Sequence, residues 1–83
     1  MTRLEITISV ASTWPSGEEL AARNAVEDAL NLADIGEFIG AGGGMGQMDL
    51  CYEVADEPAA RAVIAVAMKT HMPAAAYRIV VDK

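Results

Sequence analysis

The sequence predicts an α+β domain of order β-α-β-β-α-β, a four-stranded antiparallel sheet with two helices on one face. Three observations carry this. Leu4, Ile6, Ile8 and Val10 alternate with Arg3, Glu5, Thr7 and Ser9, and Met48, Leu50, Tyr52 and Val54 alternate with Gln47, Asp49, Cys51 and Glu53. A period of two with a single apolar set describes a strand buried on one side. Two other stretches, one after Ser16 and one after Asp56, repeat their apolar residues every three to four positions, as helices lying on a core do. Right-handed crossovers between the strands then place both helices on the same face.

Each element has its own justification. The first strand ends where Ser12-Thr13-Trp14-Pro15-Ser16 breaks the alternation. Ser16 followed by Glu19 has the spacing of a capping box, in which hydroxyl and carboxylate reciprocally satisfy free backbone amides. In the helix that follows, Ala22, Ala25, Val26, Ala29, Leu30 and Ala33 share one side, and Arg23, Asn24, Glu27, Asp28 and Asn31 the other. Leu20 falls on the polar side, either folded back as a hydrophobic staple over Pro15 or packed with Trp14. Gly36 lies just beyond this helix. Glu37-Phe38-Ile39 then suits a short edge strand, which the glycines from Gly40 onward weaken toward a bulge or a frayed end. The stretch Gly40–Gly46 reads as a loop joining this strand to the one starting at Gln47, so the two form a hairpin. Asp56-Glu57-Pro58 opens the second helix with a cap, an acid in the first turn and a proline where a missing amide costs nothing. Its core side is Ala60, Val63, Ile64 and Ala67. Its far side carries Arg61 and Lys69 among Ala62, Ala65 and Met72, thin cover for a solvated face. Lys69 and His71 suit the helix C-terminus and Pro73 closes it. Tyr77–Asp82 is the last strand, with Tyr77, Ile79 and Val81 inward.

In element order and hydrophobic period the chain resembles the ferredoxin-like superfold over residues 1–83, as a single domain. That architecture hosts many unrelated functions, so the resemblance implies a fold and no activity.

Composition narrows the function classes. Of the 83 residues 53% are apolar and 22% charged, the balance of a folded chain, but the core is small and help from self-association is expected. Six basic against 12 acidic residues give a formal charge of -6. This repels phosphate backbones and anionic membranes and favours a basic protein surface. One cysteine and one histidine exclude an internal disulfide and a His/Cys metal cluster within one chain. The N-terminus runs straight into an alternating strand, and no apolar run reaches the ~18 residues of a membrane span. A cytoplasmic protein without a targeting segment, metal or cofactor is the expectation.

Several residues invite a functional reading. Gly42, Gly43, Gly44 and Gly46 suggest an anion-binding loop of converging amides, yet neither a phosphate-loop nor a dinucleotide pattern accompanies them. A flexible or bulged hairpin explains them better. The sheet face away from the helices is expected to present Glu5, Thr7, Ser9, Asp49, Cys51, Glu53 and Arg78. It lacks the stacking aromatics and positive charge of an RNA-binding sheet. Its carboxylates Glu5, Asp49 and Glu53 could serve a cation or acid/base chemistry, or could simply be solvated. Cys51 on that face has acids for neighbours, which oppose a thiolate, and reaching His71 would mean crossing the sheet. Trp14, Leu20 and Met45 are the apolar residues suited to an interface. The expectation is a non-enzymatic protein-binding module, of the kind an immunity protein or antitoxin-like inhibitor would be. The alternative is a homodimeric regulatory domain binding a small anion at the glycines.

Overall fold

The computed structural model describes residues 2–11 and 14–82; the turn expected of Ser12 and Thr13 lies outside them. Six elements follow in the predicted order: β1 (Thr2–Ser9), α1 (Gly17–Leu32), β2 (Glu37–Gly44), β3 (Gln47–Val54), α2 (Glu57–His71) and β4 (Tyr77–Asp82). The strands lie in the order β2-β3-β1-β4 and all neighbours are antiparallel. This is a ferredoxin-like fold. Leu4, Ile6 and Ile8 of β1, Met48, Leu50, Tyr52 and Val54 of β3, Val26 and Leu30 of α1, and Ala60, Ile64, Ala67 and Met68 of α2 form one buried cluster. Both helices therefore cover one face of the sheet. Among the described residues no helix is long and apolar enough to cross a membrane.

The main departure from the expected pattern is β2. The predicted strand stops at Ile39, whereas the observed one runs to Gly44, so Gly42, Gly43 and Gly44 are ladder residues rather than a loop. Strand pairing uses backbone groups, which glycine has in full, and β3 supplies a rigid template. The connection shrinks to Met45-Gly46, both with positive φ (54° and 82°), the signature of a two-residue type I′ hairpin turn. Phe38 pairs with Tyr52 but Gly40 with Cys51, leaving Ile39 as the extra residue of a β-bulge. The bulge switches the alternation, so Phe38, Ala41 and Gly43 stand opposite the core-facing Tyr52, Leu50 and Met48.

Both helix starts are built as expected. The Ser16 hydroxyl accepts from the Glu19 amide (3.1 Å) and the Glu19 carboxylate from the Ser16 amide (2.8 Å). Glu19 also accepts from the Ala11 amide, tying the end of β1 to the helix. The Ser16 amide, helped by the Ala11 amide and the Ser16 hydroxyl, holds the Glu19 carboxyl below the usual range against a smaller opposing effect of desolvation. At α2, Asp56 caps the Ala59 amide.

The end of α1 was not foreseen. Asp34, not Gly36, takes the left-handed conformation (φ 55°), with the Asp34 amide donating to the Asn31 carbonyl and the Ile35 amide to that of Leu30. These two bonds make a Schellman closure, which glycine fills best. Asp34→Gly is expected to raise stability by about 0.5–1 kcal/mol, the relief of the left-handed cost less glycine's extra entropy; denaturant melts check this. Gly36 has a different task, because a Cβ there would run into the Glu53 carbonyl and sit 3.0 Å from Val54 Cα.

Two side chains are placed differently from their helical-wheel positions: Leu20 and Met72 are partly buried against the core. The wheel treats a helix as lying on a plane, whereas the twisted sheet and the neighbouring helix wrap round each rod and cover its flanks as well.

Candidate functional site

The ladder registers define the sheet face that the helices leave open. Across it run Glu37, Glu53 and Arg3; then Gly40, Cys51, Glu5 and Val80; then Gly42, Asp49, Thr7 and Arg78; then Gly44, Gln47 and Ser9. The structure thus brings Glu5, Asp49 and Glu53 to one surface. Glu5 stands diagonally across from both others, a separation of about 7–8 Å between backbones, with Arg3, Thr7 and Cys51 interleaved. Arg3 approaches Glu53 at 3.8 Å, the Thr7 hydroxyl donates to Glu5 (3.4 Å) and the Gln47 amide to Asp49 (3.5 Å). Glu37 and Glu53 are direct cross-strand partners, a like-charge pairing that a cation from outside would relieve. Among the described residues no three His, Cys, Asp or Glu side chains are grouped to hold a metal ion. Cys51 is half-buried on this face while His71 ends α2 on the other side of the sheet, so the two do not meet.

The face is shallow. A polar cleft of ≈ 320 Å³ lies between Thr7, Ser9, Gln47, Tyr77 and Arg78. Larger clefts lie on the helical side: one of ≈ 410 Å³ between α1 and α2, lined by Ala29, Ala33, Ala62, Val66 and Thr70, and one of ≈ 430 Å³ near Ser9, Glu18, His71 and Pro73. The first of these takes only Ala62 from the thinly covered side expected of α2; Ala65, Lys69 and Met72 of that side line a separate, smaller cleft of ≈ 180 Å³ beside Tyr77.

The remaining predicted site residues separate. Trp14 and Met45 come together at the hairpin end of β2 and are 70% and 91% exposed. The Trp14 ring lies over Gly44, where a Cβ would be 2.8 Å from Cζ3, and Pro15 over Gly43, at 3.3 Å from such a Cβ. Leu20 leaves this set, since it packs on the core. Gly42 and Gly43 lie in a paired strand; successive residues of a strand direct their amides to opposite edges, so these two do not converge as a nest requires. Gly46 belongs to the turn, and its carbonyl accepts from the Val10 amide.

Two residues that the wheel left among solvated polar positions prove to be structural. Arg23 donates to the Gly42 carbonyl at 3.1 Å, pinning α1 to β2. Asn31 accepts from the Tyr52 hydroxyl at 2.9 Å, with the Glu27 carbonyl 3.4 Å away. Neither partnership has a spacing signal, because both join positions about 20 residues apart.

No family model matches the sequence, and no curated protein or solved structure is significantly similar to it.

Proposed function

We propose that the protein is a small non-enzymatic binding module whose open sheet face engages a basic surface on a larger protein, in the manner of an immunity protein or an antitoxin-like inhibitor acting in the cytoplasm. One observation carries this reading: Glu5, Glu37, Asp49 and Glu53 share an uncovered sheet face with two arginines, Arg3 and Arg78, so the face keeps a net negative charge. Carboxylates spread over three strands suit an extended protein surface better than a small molecule, which gathers its few polar contacts in one concave site. Complementary charge speeds encounter and sets specificity. The alternative, anion binding at the glycines, has less support because those glycines are spent on strand pairing.

The test is capture of partners from the native lysate with tagged protein at low and moderate salt, beside a variant carrying Glu5→Gln, Asp49→Asn and Glu53→Gln. The expected result is a basic protein retained by the parent chain. The variant should bind it at least about tenfold more weakly, a loss of about 1.4 kcal/mol, with an unchanged circular dichroism spectrum. Capture that survives neutralisation, or no capture at all, refutes the proposal.

A further inference from the structure

The two edges of the sheet differ sharply. β4 is six residues long and carries Arg78 in its second position, a charge of the kind that keeps a strand edge from pairing further. β2 is eight residues long, and its one charged residue is Glu37, at its start. From Phe38 to Met48 the chain has eleven consecutive uncharged residues, within a protein of net charge -6. Large apolar side chains mark both ends of this edge. Phe38 and Ile39 are 38% and 43% exposed at one end, and Met45 and Trp14 stand out at the other. Apart from the bulge at Ile39 and the Gly42 carbonyl, which accepts from Arg23, such an edge presents backbone N–H and C=O groups with no charge along the strand to repel a second one.

We infer that β2 is a self-association edge, on which a second copy of this chain pairs β2 to β2 in antiparallel sense across a two-fold axis. Antiparallel self-pairing sets the Phe38–Ile39 end of each strand beside the Met45–Trp14 end of its mate, so apolar meets apolar twice, as an isologous contact requires. It also sends the two Glu37 residues to opposite ends of the contact, about 24 Å apart at 3.4 Å per residue, several times the ~8 Å screening length at physiological salt. Two acidic molecules therefore meet along the stretch that is free of acid. The result is one eight-stranded sheet whose acidic faces remain uncovered, so this contact is independent of the partner surface proposed above. Pairing β2 with β4 of another copy would leave free edges and build an open chain rather than a closed dimer.

Sedimentation equilibrium from micromolar to about 1 mM, where the association free energy is about -4 kcal/mol, reads the outcome. The parent chain is expected to reach twice its 8.7 kDa mass. Ile39→Lys should stay at the single mass with an unchanged circular dichroism spectrum, and Val66→Lys, on the outer side of α2, should still dimerise. Met45→Lys at the exposed turn serves as a second disrupting variant in case Ile39→Lys does not fold. The inference is overturned if the parent chain stays monomeric throughout. It is equally overturned if the folded edge variants still dimerise, if Val66→Lys abolishes the dimer, or if mass climbs past the dimer with concentration.

Discussion

Replacing Gly36 by alanine is expected to cost the domain about 3 kcal/mol, at the upper end of what a single added methyl does in a packed site. The new Cβ is directed at the Glu53 carbonyl and lies 2.9 Å from its carbon and 3.0 Å from Val54 Cα. All three are backbone atoms of β3, so no side chain can rotate away. The segment leading into β2 would have to lift off the sheet, and Glu37 and Phe38 would lose their partners Glu53 and Tyr52. Small domains have about 5–15 kcal/mol in total, so the variant should unfold at a much lower denaturant concentration. Gly17→Ala is the comparison, because nothing lies within 4 Å of a Cβ there. A Gly36→Ala midpoint equal to that of the parent chain would show that the close approach to β3 is not rigid.

Tyr52→Ala should cost about 3–5 kcal/mol, the usual range for deleting a buried aromatic ring. Tyr52 is fully buried, meets Phe38 edge-on with ring centroids 5.4 Å apart, and bonds through its hydroxyl to Asn31. Tyr52→Phe keeps the ring and removes only the hydroxyl, so it should cost about 1 kcal/mol. The same pair of variants has a pH signature. Burial, reinforced by the negative charges of Glu27 and Asp28, pushes the Tyr52 phenol up from the ordinary 10.0 to about 12. The folded state thus favours the protonated phenol, while the unfolded chain ionises near pH 10. The stabilisation is whole below pH 10 and disappears as pH rises through about 12. Denaturant melts at intervals across that window should fall more steeply for the parent chain than for Tyr52→Phe. Parallel curves would mean that the phenol ionises alike in both states.

Much of the fold could be read from local pattern, and the reasons are specific. β1 and β3 are central strands with one buried face, so Leu4, Ile6 and Ile8 and the even-numbered residues from Met48 to Val54 announce themselves by alternation. The helix starts were legible because Ser16, Glu19 and Asp56 act on amides three residues away. β2 was not, since Gly40, Gly42, Gly43 and Gly44 carry no side chain in which a period could be written; only the template strand β3 makes that segment extended. The left-handed closure at Asp34 was equally hidden, because aspartate reaches that conformation less readily than glycine and so does not announce it. For the candidate site, alternation placed Glu5, Asp49 and Glu53 on one face, but how they are staggered depends on the register between strands. Leu20 was misassigned because a wheel ignores curvature, and the union of Trp14 with Met45 depends on a loop crossing that no periodicity describes.

The glycines of β2 have a further consequence for how the hairpin is aligned. Four of the five residues Gly40–Gly44 look the same from above and below, so sliding this segment by one position exposes almost nothing and buries almost nothing. Alignment must be enforced from the two ends, by the tight reversal at Met45-Gly46 and by the ring of Phe38 against Tyr52. Those two clamps disagree by one residue, and Ile39 is where the chain stores the difference. Removing Ile39 would therefore act as a length correction, letting both clamps close on an uninterrupted ladder.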